Sequence, residues 1–147
     1  MIDKILVAVD GSEHSQKALE FASQLAAKFQ GRLHIVHVPQ GPVSDRVMFL
    51  GGASVTLHAT PSELEDAGRS LLEASRRIAE QAGVAHVETR VLGGDPADAI
   101  IADARDISAD VIVLGSRGLG DLGGLLLGSV SHQVNHRAPC TCITVRA

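Results

Sequence analysis

The sequence predicts an α/β fold: a doubly wound, five-stranded parallel sheet with four helices, Rossmann-like. Two observations carry this prediction. Short, continuous apolar runs alternate with longer segments of helical periodicity, and turn or capping residues separate them. Continuous apolar runs are typical of strands buried on both faces, as in parallel sheets. With right-handed crossovers and helices on both faces, the expected strand order is 3-2-1-4-5.

Local signals mark the predicted elements. The predicted strands are Ile5–Val9, Leu33–Val38, Val84–Leu92, Val111–Leu114 and Thr141–Val145. The predicted helices begin at the caps Ser12, Thr60 and Asp95 and at Ser129, and end near Gly31, Gly83, Asp106 and Arg137. Thr60-Pro61-Ser62-Glu63 has the pattern of a capping box with Pro at the first helical position. Residues 39–59 lack clear periodicity, and we interpret them as a long surface loop.

Length and composition exclude several classes of protein. The 147 residues suit a single domain over 1–147, and the formal net charge is −4 with no Trp or Tyr. A nucleic-acid partner is not expected, because it needs a clustered basic surface or aromatic stacking. The N-terminal region lacks the pattern of a secretory signal, and no apolar run approaches the roughly 18 residues of a membrane span. We therefore expect a cytoplasmic protein that does not associate with membranes.

The glycine-rich segment from Gly115 to Ser131 directly follows the predicted strand Val111–Leu114. Glycine lets a ligand approach backbone N–H groups closely, and a helix that starts at Ser129 directs its first N–H groups toward an anion. In the expected strand order, the first and fourth strands flank the ligand crevice. The segments Asp10–Ser12 and Gly115–Arg117 should then face each other and form one phosphate-binding site.

Two familiar phosphate-binding motifs are excluded. Gly118-x-Gly120-x-x-Gly123 has the form of a dinucleotide fingerprint, but that motif needs an acidic residue about 20 positions later. Asp121 is the last acidic residue of the chain. A Walker P-loop is also excluded, because no lysine follows these glycines. A mononucleotide-type loop remains.

The longer spacing is more specific: Gly115-x-x-Gly118, nine residues, then Gly128-Ser129. It resembles the ATP-binding members of the universal stress protein family. The first strand followed by Asp10-Gly-Ser, and Leu127-Gly-Ser-Val-Ser followed by Ala138-Pro-Cys, are similar to the same family. The resemblance covers essentially the whole chain, most loosely over 39–59.

The resemblance implies a homodimeric stress-response regulator that binds ATP, or AMP or cAMP, with Mg²⁺ on the phosphates. Asp10 is expected to accept hydrogen bonds from ribose or adenine, and Ala8 and Val38 to form a wall around adenine. The remaining positions are expected to contact phosphate and ribose. The full set of expected nucleotide-binding residues is Ala8, Asp10, Val38, Gly115, Arg117, Gly118, Gly128, Ser129, Val130 and Ser131.

Other interpretations stay open. In one alternative, the glycines serve only a tight loop and Asp10 only caps the first helix. The chain is then a nucleotide-independent homodimeric interaction module, paired through its C-terminal strand. Slow ATP hydrolysis is a further alternative. No catalytic residue is assigned, because no general base or second carboxylate accompanies Asp10.

The histidines and cysteines give weak signals. The spacing of His132, His136, Cys140 and Cys142 can be written as a zinc motif, but Cys-x-Cys is tighter than most zinc sites use. No metal site is therefore expected, and in a reducing compartment both cysteines remain thiols. His34 and His37 are expected to be packed or rim residues.

Overall fold

Seven strands and four helices form in the residues that the computed structural model describes: 1–40, 46–50, 53–57, 60–118 and 127–147, with the backbone alone described in 46–50 and 53–57. In chain order they are β1 (Lys4–Ala8), α1 (Glu13–Phe29), β2 (Arg32–His37), β3 (Arg46–Leu50), β4 (Ala53–Leu57), α2 (Pro61–Gln81), β5 (His86–Val91), α3 (Pro96–Asp106), β6 (Val111–Gly115), α4 (Ser129–Arg137) and β7 (Thr141–Val145).

The central sheet has five strands in the order β5-β2-β1-β6-β7, and every neighbouring pair is parallel. This confirms the predicted fold class and strand order. In the middle of the sheet, Val7 of β1 pairs with Ile35 of β2 on one side and with Val113 of β6 on the other. The chain order reverses between β1 and β6, so their carboxyl ends form the switch point at which such sheets bind ligands.

Helices cover both faces of the sheet. Neighbouring residues of a strand point to opposite faces, so Val7 packs in the layer of α1 and α2, and Leu6 in the layer of α3 and α4. Both side chains are fully buried, and burial of one such side chain contributes about 1.5–3 kcal/mol. The apolar runs are therefore continuous because each strand lies between two layers of helices.

The predicted helix starts at Ser12, Thr60 and Asp95 are confirmed. The Ser12 hydroxyl accepts from the Ser15 N–H, and the Asp95 carboxylate accepts from the Asp98 N–H. Thr60 and Glu63 bond reciprocally in the predicted capping box. Among the described residues, no helix is long and apolar enough to cross a membrane.

The interpretation of residues 39–59 as a loop without strands was wrong. β3 and β4 pair antiparallel, from Arg46 opposite Leu57 to Leu50 opposite Ala53, as a two-stranded sheet separate from the main one. Each strand is a short run that includes β-branched or aromatic residues, and Gly51-Gly52 lies between them in the sequence. Two such residues between two such runs are a hairpin signal. The rest of that interpreted loop, residues 41–45, 51–52 and 58–59, lies outside the described residues.

The two edges of the main sheet differ in charge. β5 carries Glu88 and Arg90, whereas β7 reads Thr-Cys-Ile-Thr-Val and has no charged residue. Residues 142–145 of β7 are half-buried. Each edge strand is hydrogen-bonded to one neighbour within the described chain.

Candidate functional site

The turn after β1 fixes Asp10 at the switch point. The Asp10 Oδ1 accepts from the Ser12 N–H at 2.9 Å, and the Asp10 N–H donates to the Ser15 Oγ at 3.2 Å. Gly11 has φ +84°, a left-handed conformation that favours glycine. Ser12 itself caps α1. The carboxylate of Asp10 is therefore oriented by the turn while Ser12 performs the helix capping.

Gly115, at the end of β6, lies directly against the start of α1. A β-carbon added to Gly115 would lie 2.7 Å from the carbonyl carbon of His14 and 2.8 Å from the backbone nitrogen of Ser15. The hydroxyl of Ser116 lies 3.1 Å from Nδ1 of His14. The first turn of α1, which follows Asp10–Ser12, therefore contacts the segment after β6, and glycine at 115 allows this close approach.

The start of α4 is hydrogen-bonded to the segment that follows β6. The Gly128 N–H donates to the Ser116 carbonyl at 2.6 Å, which brings the two ends of segment 117–127 together. Gly128 is the N-cap of α4 and makes no side-chain capping bond. The first backbone bond into the helix is from the His132 N–H to the Gly128 carbonyl. The first-turn amides, those of residues 129–131, thus have no capping side chain from Gly128 and carry the positive end of the helix dipole.

The hydroxyl of Ser131 is hydrogen-bonded within the protein. Its Oγ donates to the Gly115 carbonyl at 2.5 Å, and the residue is 4% exposed. This hydrogen bond therefore connects α4 to the end of β6. The group of Ser131 that is suited to an anion is its backbone N–H, in the first turn of α4.

The apolar members of the predicted site lie on one face of the sheet. Ala8, the last residue of β1, and Val38, which follows β2, both pack in the layer of α3 and α4. Val38 is buried and Ala8 half-buried. Arg117 and Gly118 are half-buried and follow Ser116 in the chain. The structure thus gathers the predicted residues at the carboxyl ends of β1, β2 and β6, around the start of α4.

Three polar residues outside the predicted set of nucleotide-binding residues hold the site together: His14, Ser15 and Ser116. Ser15 accepts from the Asp10 N–H, and His14 and Ser116 bond each other between α1 and the end of β6. Ser15 and Ser116 are buried. Ser116 stands inside the Gly115-x-x-Gly118 motif, so its position was the available signal. The partners of His14 and Ser15 are about a hundred residues away or across a turn, and no local pattern reveals them.

A second polar cluster lies at the β5 edge, away from this site. Asp103 of α3 is 5% exposed and accepts a hydrogen bond from Arg90 of β5. His34 of β2 lies beside Glu88, with Nδ1 3.4 Å from Oε2. Burial lowers the pKa of His34, and it outweighs the opposing effects of Glu88 and Asp103. A cleft of about 200 Å³ borders this cluster.

The histidine and cysteine pairs near the C-terminus form no described metal centre. The rings of His132 and His136 stack with their centroids 6.5 Å apart. Within 1–40, 60–118 and 127–147, no group of three or more His, Cys, Asp or Glu residues is arranged to hold a metal ion. Cys142 instead contacts α4, with Sγ 3.8 Å from the Val134 carbonyl oxygen.

A parallel sheet with a glycine-rich segment and an N-terminal helix end at its switch point defines a Rossmann-like α/β domain whose candidate site is built mostly from backbone. Residues 1–146 match the universal stress protein family. The chain belongs to that family, as its glycine spacing predicted.

Individual relatives cover nearly the whole chain. The universal stress protein YxiE of Bacillus subtilis is 37% identical over 149 residues, which cover 99% of this chain and 100% of the relative. A crystal structure of a universal stress protein in complex with cAMP is 28% identical, covers 97% of this chain and 96% of that one, and has a TM-score of 0.72. The universal stress protein UspA from Lactobacillus plantarum is 26% identical, with 98% and 97% coverage and a TM-score of 0.75.

Proposed function

We propose that this protein binds an adenine nucleotide, ATP in the first place, at the β1–β6 switch point and acts as a cytoplasmic regulator in a stress response. One observation carries the proposal: the Ser116–Gly128 hydrogen bond places the start of α4 beside the Gly115–Gly118 segment. Backbone N–H groups there suit phosphate. The 28% identical universal stress protein in complex with cAMP supports an adenine nucleotide as the ligand.

Each predicted residue has a role that suits its position. The Asp10 carboxylate accepts from ribose or adenine donors, and the apolar Ala8 and Val38 bound the base. The phosphate contacts come from backbone amides, so their chemistry depends little on side chains. The phosphate and ribose contacts together are assigned to Gly115, Arg117, Gly118, Gly128, Ser129, Val130 and Ser131. At the start of α4 the amides concerned are those of residues 129–131, because the Gly128 N–H is donated to the Ser116 carbonyl. At Gly115 the absence of a side chain allows the close approach of α1. At Ser131 the contact is assigned to the backbone amide, because the hydroxyl is donated to the Gly115 carbonyl.

In the proposed complex, Mg²⁺ binds to the phosphates of the nucleotide. Magnesium commonly binds through nucleotide phosphates and one or two carboxylates rather than in an all-protein cage. The carboxylate of Asp10, oriented by its turn at the switch point, suits that mode. No second carboxylate among the assigned residues acts as a general base, so binding rather than hydrolysis is the proposed activity.

Calorimetry with a matched pair of variants tests nucleotide binding. ATP with Mg²⁺, AMP and cAMP are titrated into the wild-type protein, Gly128→Glu and Gly93→Glu. Gly128→Glu introduces a negative charge at the start of α4 and should abolish saturable binding. Gly93, in the turn after β5, has nothing within 4 Å of an added β-carbon, so the same substitution there should leave binding intact. Equal heats for all three proteins would refute the proposed site.

A homodimer through β7 is part of the proposal. The β7 edge is uncharged, and α1 exposes Phe21 by 39% and Phe29 by 46%. An exposed, uncharged edge is suited to pairing with a second copy. Sedimentation at micromolar concentration should give the mass of two chains.

The same edge favours a second candidate, a homodimeric interaction module that needs no nucleotide. Mass spectrometry of denatured, freshly purified protein separates the two functions. Adenine nucleotide in that sample supports the first function, and its absence together with a silent calorimetric titration supports the second.

A further inference from the structure

We propose that a cleft on the α1 side of β6 binds a phosphoryl group. The cleft has a volume of about 270 Å³ and is lined by His14, Ser116, Arg117, Arg146 and Ala147; we refer to it as the arginine cleft. It lies where β6 and β7 end and α1 begins. Its volume is several times the roughly 30 Å³ that one water molecule occupies in the liquid.

The hydrogen bonds of His14 make its ring a donor toward ligands. The Ala147 N–H donates to Nδ1 of His14 at 3.1 Å, so Nδ1 is the lone-pair acceptor of the ring. Ser116 Oγ also lies 3.1 Å from Nδ1 and shares the single lone pair of that nitrogen with the Ala147 N–H. The proton of the neutral ring consequently lies on Nε2, and the side chain has an N–H to offer.

The two arginines supply charge without a described counter-ion. Within residues 1–40, 60–118 and 127–147, neither the Arg117 nor the Arg146 guanidinium forms an ion pair with an acidic side chain. Elsewhere on the protein, Arg90 and Arg137 are paired with aspartates. None of the described residues that line the cleft has an acidic side chain. A donor-rich cleft with two guanidinium groups suits a multivalent oxyanion.

The position of the cleft favours a phosphoryl group among such anions. Ser116 lines the cleft with its side chain, and its carbonyl accepts from Gly128 at the start of α4. The cleft is thus one residue away from the place proposed for the nucleotide phosphates. The phosphoryl group has two sources: the terminal phosphates of a nucleotide bound at the switch point, or a free phosphate or pyrophosphate. The first source rests on the proposed function, and the second does not.

Two titrations distinguish the sources, each with wild-type protein and with Arg146→Gln, Arg146→Lys and Arg77→Gln. Arg77 is exposed on α2, so Arg77→Gln matches the charge change at a remote place. If nucleotide phosphates enter the cleft, Arg146→Gln should weaken ATP binding about tenfold, with AMP affinity unchanged and Arg146→Lys in between. If free anions enter it, pyrophosphate should bind to wild-type protein saturated with AMP and not to Arg146→Gln.

Two outcomes would contradict phosphoryl binding in the arginine cleft or nucleotide binding at the switch point. If the ratio of ATP to AMP affinity and the binding of pyrophosphate are the same in Arg146→Gln and Arg77→Gln, the cleft binds no phosphoryl group. If no adenine nucleotide binds to any of these proteins, the proposed function fails, and pyrophosphate titration of the nucleotide-free protein still decides on the cleft.

Discussion

The ring of His37 occupies the space in front of Gly68. A β-carbon on Gly68 would lie 3.0 Å from Cδ2 and 3.4 Å from Nε2 of His37, and the His37 Nδ1–H donates to the Val9 carbonyl at 2.8 Å. His37 was expected to be a packed or rim residue, and it is half-buried between the end of β1 and α2. Because Val9 precedes Asp10, this histidine also holds the backbone at the entrance to the switch point.

Whether Gly68→Ala raises or lowers the free energy of unfolding should depend on the contact between Gly68 and His37. Alanine at a helix interior is more favourable than glycine by about 1 kcal/mol, but crowding of a fixed side chain costs about 1–3 kcal/mol. We expect Gly68→Ala to destabilise the wild-type protein by about 1 kcal/mol and to stabilise a His37→Ala background by a similar amount. Urea unfolding of the four proteins measures both changes. The same effect of Gly68→Ala in both backgrounds would disprove the coupling.

Gly115 should tolerate alanine poorly. Its added β-carbon meets backbone atoms of α1 at 2.7 and 2.8 Å, and backbone cannot move aside as a flexible side chain can. We expect Gly115→Ala to lower the free energy of unfolding by about 1–3 kcal/mol. Gly93→Ala, with open space around its β-carbon, should change it by no more than about 0.5 kcal/mol. Thermal denaturation compares the two, and equal melting temperatures would contradict the packing role of Gly115.

His34 should make the protein less stable in mild acid. Its pKa lies below the ordinary 6.5, so the unfolded chain binds more protons between the lowered value and 6.5. The free energy of unfolding therefore falls as the pH drops below about 6.5, and this loss is complete below the lowered pKa. We expect His34→Gln to lose less stability than wild type between pH 7.5 and pH 5.5. Chemical unfolding at a series of pH values tests this, and parallel curves would rule out His34 as the cause.

The cysteine thiols should react slowly in the folded protein. Burial raises the pKa of Cys142 to about 11 and also raises that of Cys140. At pH 8 about one Cys142 in a thousand is then thiolate, against about one in four for an unperturbed thiol. In Cys140→Ser protein, iodoacetamide should modify Cys142 at least about a hundredfold more slowly than in the urea-unfolded chain. Mass spectrometry follows the reaction, and similar rates in both states would contradict a buried thiol.

The strands of the main sheet and the helices between them were predictable because the sequence signals that mark them are local. Ser12, Thr60 and Asp95 cap helices by bonds to residues three positions away, which a short stretch of sequence reveals. β3 and β4 were missed because residues 39–59 were judged by helical and strand periodicity over the whole segment. The two glycines between Arg46–Leu50 and Ala53–Leu57 carried the hairpin signal.

The candidate site was predictable in its place and less so in its contacts. Strand order alone brings Asp10 and Gly115 to one edge of the sheet. The bond from Ser131 Oγ to the Gly115 carbonyl and the contact of His14 with Ser116 depend on how α1 and α4 pack, and single-sequence patterns contain no such information. The reason for glycine at 115 is therefore visible only when the neighbouring helix is in place.

The two edges of the main sheet differ in how easily they could pair with a second copy of this chain. Glu88 and Arg90 on β5 make that edge costly to desolvate, whereas β7 has no charge to exclude a partner strand. In the proposed homodimer, a two-fold symmetric pair through β7 would occupy the uncharged edge of both copies and leave the charged edges outward. Further strand pairing through the main sheet would then have to desolvate Glu88 and Arg90, which disfavours extended ribbons.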